Sequence, residues 1–247
     1  MGGCATPGDT AEVRQALAPT GTLRVGVYPG SPTSLVRGPG AQEQRGVTVE
    51  LGRELARRLG VPMQIVVFER VPQIVDAIKT GRVDVTLTNA SPARAREIDF
   101  SPTVLALESG YLVAAHSALT TIDVIDRSGV RVGVSQGSTS QGVLTRELKR
   151  ASVLHAASVL VAAEMLRRGE LDAFASNKGI LFEMSGAVPG SRVLDGRFGL
   201  EQMALGIPKG REVAGAYLQA FVADPTVQAL VQQAAQRAGL RGLAPAR

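Results

Sequence analysis

The chain has 247 residues, 45% of them apolar and 20% charged, with 28 Gly and no Trp. That is enough for one large domain or two small ones burying roughly 70–75% of the unfolded surface. The apolar fraction excludes disorder, the absence of a Gly period excludes collagen, and no uncharged apolar run approaches the ~18 residues of a bilayer span. The net charge of +5 arises from 27 basic and 22 acidic residues. These are interleaved, as in Arg94-Ala95-Arg96-Glu97, not clustered with stacking aromatics, so no nucleic-acid partner is expected. The single cysteine, Cys4, excludes an intrachain disulfide and a Cys-based zinc site. His116 and His155 have no ligand partner at i+3 or i+4, so no metal and no cofactor are expected.

Residues 1–20 read as a flexible leader. Within it, Gly2-Gly3-Cys4-Ala5 and the polar stretch that follows look like the end of a bacterial lipoprotein signal, with Cys4 the lipidated residue; a plain thiol is the alternative. Short β-type runs then alternate with helix-type segments. Leu23–Val27 reads as a strand, and Val47, Leu51, Leu55 and Leu59 mark one face of a helix at i+4 steps. A strand at Gln64–Phe68, a helix at Pro72–Lys79 and a strand at Val83–Leu87 continue the βαβ plan of an α/β protein.

The plan repeats. Val130-Arg131-Val132-Gly133-Val134 echoes Leu23-Arg24-Val25-Gly26-Val27, and the stretch from Ala77 to Asn89 matches that from Met165 to Asn177. Both later stretches read as a helix, a Gly stop, an acidic residue and a buried strand ending in Asn. Two similar α/β lobes, not one sheet, are therefore expected, divided as residues 21–113 plus 206–247 and residues 114–205. Ligands of α/β sheets bind outside the carboxyl ends of strands, which puts Asn89 and Asn177 in a cleft between the lobes. After a last strand, Met203–Ile207, two helices are expected, with Asp224-Pro225 starting the second and Gly239 ending it.

Ser91-Pro92-Ala93-Arg94 has an N-cap Ser and a Pro at the first helical position, so a short helix should begin there. Its N-terminus and the Arg94 guanidinium together suit a carboxylate or phosphate, although a solvated arginine fits the same four residues. Gln136-Gly137-Ser138-Thr139-Ser140, between a strand and a helix, offers hydroxyls and N–H groups of similar use. Gly133-Val134-Ser135-Gln136-Gly137 matches the hydrolase elbow G-x-S-x-G, but no acid and then histidine follow in the required order, so the match is read as chance.

In combination these motifs resemble the type II periplasmic solute-binding proteins, within them the polar-amino-acid family that serves ABC transporters, over residues 22–240. The resemblance rests on Thr22–Val27, Gly46–Leu51, Gly81–Asp84, Asn89–Arg94, Asp99-Phe100-Ser101, Gly133–Thr139 and Leu171-Asp172-Ala173. It implies that Arg94 grips a ligand carboxylate, and that Asn89 and Ser91 stand where the family has two threonines. It further implies that the backbone at Leu87 receives an α-ammonium and that Ser138 and Thr139 close over the carboxylate.

The departures are informative. Asn177 stands where the family has an Asp for the α-ammonium, which removes a full charge while keeping an amide oxygen. Ser31 and Pro32-Thr33-Ser34 replace an aromatic clamp, and Tyr28 lies where binders of basic amino acids place an acid, so a cationic ligand side chain fits poorly.

The expected protein is a non-enzymatic, periplasmic or otherwise extracytoplasmic, monomeric solute-binding component of an ABC importer. It would close on a small carboxylate-bearing solute and pass it to the permease, meeting the membrane itself only through lipid on Cys4. The hinge crossings are expected near Val113–Ala115 and Ala204–Gly206. The alternatives are a dehydratase-like enzyme, with Glu50 or Glu69 as its acid, and a sensor domain.

Overall fold

The computed structural model describes residues 10–37, 43–115 and 117–245. Cys4 and His116 lie outside them. The chain begins with α1 (Thr10–Leu17), β1 (Leu23–Val27), the short pair β2 (Val36–Arg37) and β3 (Gln44–Arg45), α2 (Val47–Leu59), β4 (Met63–Val67) and α3 (Val71–Lys79). Next come β5 (Thr86–Asn89), α4 (Pro92–Ala95), β6 (Ile98–Val113), β7 (Arg131–Ser135), α5 (Thr139–Glu147), β8 (Ser152–Ala156), α6 (Val159–Arg167) and β9 (Ala173–Asn177). They are followed by α7 (Lys178–Ala187), β10 (Arg192–Val193), β11 (Gly199–Pro208), α8 (Glu212–Ala223) and α9 (Pro225–Arg237).

The internal repeat is a repeat of topology. In one half β4 pairs with β1 in parallel, β1 meets the start of β5 through a parallel bridge at Val25–Val85, and β5 runs antiparallel to β11. In the other half β8, β7, β9 and β6 follow each other with the same senses. Separate apolar clusters fill the two halves, one around Leu23, Leu51, Leu107 and Leu218, another around Leu112, Leu166, Phe174 and Leu181. Gly81 and Gly169 end α3 and α6 at φ of 67° and 68°, where any side chain would be strained.

Both repeats carry the same polar fork. Asp84 accepts from the Arg24 backbone N–H (2.9 Å), Nε (2.9 Å) and Nη2 (2.7 Å). Asp172 accepts from the Arg131 backbone N–H (2.7 Å), Nε (3.0 Å) and Nη2 (2.9 Å). Arg131 holds the Asp172 carboxyl below its ordinary value, and Asp84 raises the Arg24 guanidinium above its own.

The structure departs from the sequence expectations in three places. Residues 10–20 are not a loose leader: Val13 and Leu17, four apart on α1, are buried in the first core, and Arg14 Nε donates to the Leu59 carbonyl at 2.9 Å. The two halves are not separate sheets, because β6 is 16 residues long and ladders with β11 in one half and with β9 in the other. The crossings also move. Val113 already pairs with Ala173 in one half, and Ala204–Gly206 with Thr86–Thr88 in the other, so the passages lie closer to Leu105–Ser109 and Gly199–Met203. A break in the β6–β11 register at Met203–Ala204 sits at this passage.

The two forks differ in burial: the Asp84 side chain is 0% exposed and that of Asp172 is 33% exposed. Asp84→Asn removes the buried carboxylate that Arg24 and, at 3.6 Å, Arg211 share from partly exposed positions, and should cost about 3 kcal/mol in urea unfolding. Asp172→Asn, screened by solvent, should cost about 1 kcal/mol. Equal losses would mean that the forks are not the units that set each half.

Candidate functional site

The carboxyl ends of β1, β5, β7 and β9 converge on one cleft between the halves. Tyr28 follows β1, Asn89 ends β5, Ser135 ends β7 and Asn177 ends β9, and all four line the cleft. Arg94, Ser138 and Thr139 complete its polar wall with Thr88, Ser176 and Glu201, while Val71, Val159, Ile180 and Met203 supply apolar surface. Its free volume is about 40 Å³. That is far below the ~300–1,000 Å³ of a ligand pocket, so in this arrangement the halves lie too close together across the cleft to hold a solute. A larger cavity of about 670 Å³ lies behind the crossing strands against α9. It lacks convergent charge: Arg197 is the one ionisable side chain among its described lining residues.

Arg94 is positioned by the local turn the sequence encodes. The Ser91 hydroxyl accepts from the Arg94 N–H at 3.4 Å and caps α4, with Pro92 at its first position. The Arg94 guanidinium donates to Thr88 Oγ1 at 2.6 Å and reaches across to the Gly137 carbonyl at 3.4 Å. Burial draws it down from the ordinary guanidinium value, and the carboxylate of Glu201 opposes that. On the facing side the Ser138 hydroxyl caps α5 by accepting from the Gln141 N–H at 3.1 Å, which leaves Thr139 to meet Asn89 Nδ2 at 3.1 Å. Gly137 stands at φ 71°, and a Cβ there would come within 2.6 Å of Pro72 Cγ, so the approach of the halves requires glycine. The halves are thus in contact across the cleft.

Of the eight expected residues, Arg94, Asn89, Ser138, Thr139, Asn177 and Tyr28 line the cleft. Ser91 and Leu87 do not. Ser91 serves the cap, and Leu87 turns its side chain into the first core while its strand position pairs with Leu205 of β11. Burial raises the Tyr28 phenol, opposed by the hydroxyls of Ser31 and Thr33. Glu50 and Glu69 are not among the cleft residues; Glu50 pairs with Arg53 and Arg237 at 2.7 and 3.6 Å.

Asn177 differs from its expected use. Its Oδ1 accepts from the Ile180 N–H at 3.1 Å to cap α7, which fixes the amide's orientation, and its Nδ2 donates to Glu201 Oε2 at 3.1 Å. Asn177 therefore presents a donor to the cleft, and the acceptor beside it is Glu201. Burial raises the Glu201 carboxyl above the usual carboxylate range, with Asn177 and Arg94 acting the other way. The sequence expectation starts the last strand at Met203, whereas β11 starts at Gly199 and so includes Glu201. An isolated Glu at the edge of an apolar strand was the available signal.

Paired α/β halves joined by crossing strands, with strand ends, a buried guanidinium and hydroxyl-capped helix starts around a small cleft, define a solute-binding protein. The chain belongs to the bacterial extracellular solute-binding proteins, family 3, which it matches over residues 23–236. That is a family of binding proteins and not of enzymes. A glutamine-binding protein of Geobacillus stearothermophilus is 24% identical over 182 residues, 70% of this chain and 68% of the relative. Among solved structures, a solute receptor for L-cysteine of Neisseria gonorrhoeae superposes with TM-score 0.81 at 19% identity, covering 96% of this chain and 99% of that one. A binding component of an ABC transporter from Wolinella succinogenes, complexed with lysine, superposes with TM-score 0.78 at 19% identity, covering 88% and 95%.

Asn177→Asp would set a second carboxylate against Glu201 and remove the amide donor. Like charges that close raise one another's pKa. The ligand-free variant should therefore melt below the wild type at neutral pH and recover as the pH falls and one carboxyl of the pair takes up a proton. A loss that does not depend on pH would show that the two side chains do not face each other.

Proposed function

We propose that the chain is the amino-acid-receiving component of an ABC importer, with Arg94 as the anchor for the ligand's carboxylate. The observation that carries this reading is the position of the Arg94 guanidinium, in the cleft beside the capped start of α5, held by Thr88 Oγ1 at 2.6 Å. A planar two-pronged donor next to helix N–H groups is the arrangement that selects a carboxylate. The relatives support the ligand class: the glutamine-binding protein, the L-cysteine receptor and the lysine complex all take amino acids.

Binding proceeds by closure of the halves about the crossing strands. Arg94, Asn89 and Tyr28 contribute from one side, and Ser138, Thr139 and Asn177 from the other. Leu87 and Ser91 act through β5 and the α4 cap. The chain works outside the cytoplasm, delivers its ligand to a permease as a monomer, and is held at the membrane by lipid on Cys4, a reading that rests on Gly2-Gly3-Cys4-Ala5.

Thermal unfolding against the twenty standard L-amino acids tests the ligand class. Ligand at ~100 times its dissociation constant adds about 2.7 kcal/mol, enough to move the midpoint visibly. Arg94→Ala should remove the shift, at a cost of about 2–5 kcal/mol in binding free energy. An undiminished shift in that variant would dismiss Arg94 as the anchor.

A further inference from the structure

The cleft holds two opposite charges that do not neutralise each other. Arg94 and Glu201 both line it, and each influences the other's ionisation. Yet each is tied to a neutral partner: Arg94 to the Thr88 hydroxyl and the Gly137 carbonyl, Glu201 to the Asn177 amide. No ion pair joins them among the described residues, although ion pairs as long as 4.0 Å occur elsewhere in the chain. A carboxylate only 8% exposed, with a single amide donor, is an expensive thing to build into a protein unless something cationic comes to meet it.

Three observations say where that cation would lie. Glu201 Oε2 is taken by Asn177, whereas Oε1 has no hydrogen-bond donor among the described residues and is not sealed off as a buried orphan. Glu201 is the one acidic residue among the described residues lining the cleft. Asn177 cannot take its place, since its oxygen is engaged by the Ile180 N–H. The backbone adds a fourth point: the N–H of Gln202, the next residue, donates to Asn89 Oδ1 at 2.9 Å. Residues 201 and 202 of β11 are thus held between the two strand-end asparagines of the internal repeat, one from each half.

We propose that Glu201, on the crossing strand, is the acceptor for the ligand's ammonium group, with Asn177 as the residue that positions its carboxylate. The inference rests on Arg94 as the carboxylate anchor and adds the second charge. The ligand class becomes a zwitterion whose two charges are read from two elements, Arg94 after β5 and Glu201 on β11. A deaminated acid would satisfy Arg94 and leave Glu201 buried without a cation. A carboxyl group moved from a strand end to a crossing strand thereby keeps α-amino-acid recognition in a chain whose strand end carries an amide.

The test is isothermal titration of the full chain with the twenty standard L-amino acids, then with the deaminated acid of each one that binds. The wild type should bind an α-amino acid about 30-fold or more tightly than its deaminated counterpart. Glu201→Gln should lose about that factor for the amino acid, leave the deaminated acid unchanged or improved, and melt no lower than the wild type when ligand-free. Arg94→Ala should weaken both members of the pair. If Glu201→Gln keeps its amino-acid affinity while Arg94→Ala loses it, the ammonium assignment is overturned and the carboxylate anchor stands. If Arg94→Ala binds as the wild type does, or the wild type binds no amino acid, the anchor itself fails and this inference with it. Should Glu201→Gln melt well below the wild type, Glu201 is a structural group, and equal wild-type affinity for amino and deaminated acids overturns the proposal without any variant.

Discussion

An arginine on the first strand of each half forks onto an aspartate that precedes the third, and the ligand cleft depends on that fork. Asp84 and Asp172 each take three N–H groups from Arg24 and Arg131, including the backbone N–H of the arginine itself. The fork therefore fixes where the turn after the helix meets the sheet, not merely a surface charge. Gly26 and Gly133, two residues beyond each arginine, let the apolar residue before each aspartate press in: a Cβ would lie 3.2 Å from Val83 Cγ2 in one half and would clash with Leu171 Cδ1 in the other. With the start of each strand pinned, its end is pinned as well. Those ends are Asn89 and Asn177, and everything that touches the ligand cleft is measured from them.

The repeat also explains why the two halves are one ladder. Each half needs a fourth, antiparallel strand beside β5 or β9, and the chain supplies it from strands that belong to both halves: β11 for one and β6 for the other. Because β6 and β11 also pair with each other, the route between the halves is a continuous ladder interrupted only by register shifts after Met203. The ladder is least regular from Met203 to Gly206, where the register shifts twice. That irregular segment begins two residues after Glu201, so the proposed ammonium acceptor lies beside the least regular part of the connection between the halves.

Much of this was legible in the sequence, because the repeat is written in residues with strong local physics. Gly81 and Gly169 announce helix ends, Ser91-Pro92 announces a helix start, and Asp224-Pro225 does the same for α9, whose Asp224 side chain accepts from the Thr226 N–H at 2.8 Å. Six cleft residues were reachable because strand ends in α/β folds face the ligand. Other features are decided by tertiary pairing and leave faint traces. Val13 and Leu17 are two apolar residues in a polar stretch, and only the groove beside α8 and α2 makes them core. Where a long strand passes from one half to the other depends on its partners, not its composition, so the crossings were placed several residues off. Glu201 was hidden for a related reason: an acid is a poor strand residue in general, and its place becomes intelligible only when β9 and Asn177 are seen beside it.

Closure without ligand is weakly held, and that is what a binding protein requires. The side-chain hydrogen bonds that span the cleft among the described residues, Asn89 to Thr139 and Arg94 to Gly137, are few; the neutral one contributes about 0.5–1.5 kcal/mol and the long one from the guanidinium at most about 1.5–3 kcal/mol. Against them stands the cost of keeping Arg94 and Glu201 from water while leaving them unpaired. A ligand moves the equilibrium between open and closed forms only by the difference in its affinity for the two. A solute held by one half alone would bind the open form nearly as well and shift nothing. One that reaches from Arg94 towards Glu201, with Thr139 and Asn177 brought up from the other half, finds all its partners only in the closed form. The separation of charge in the cleft thus does two things at once: it makes the empty closed form unfavourable, and it makes the same form the tightest receptor for a molecule carrying both charges.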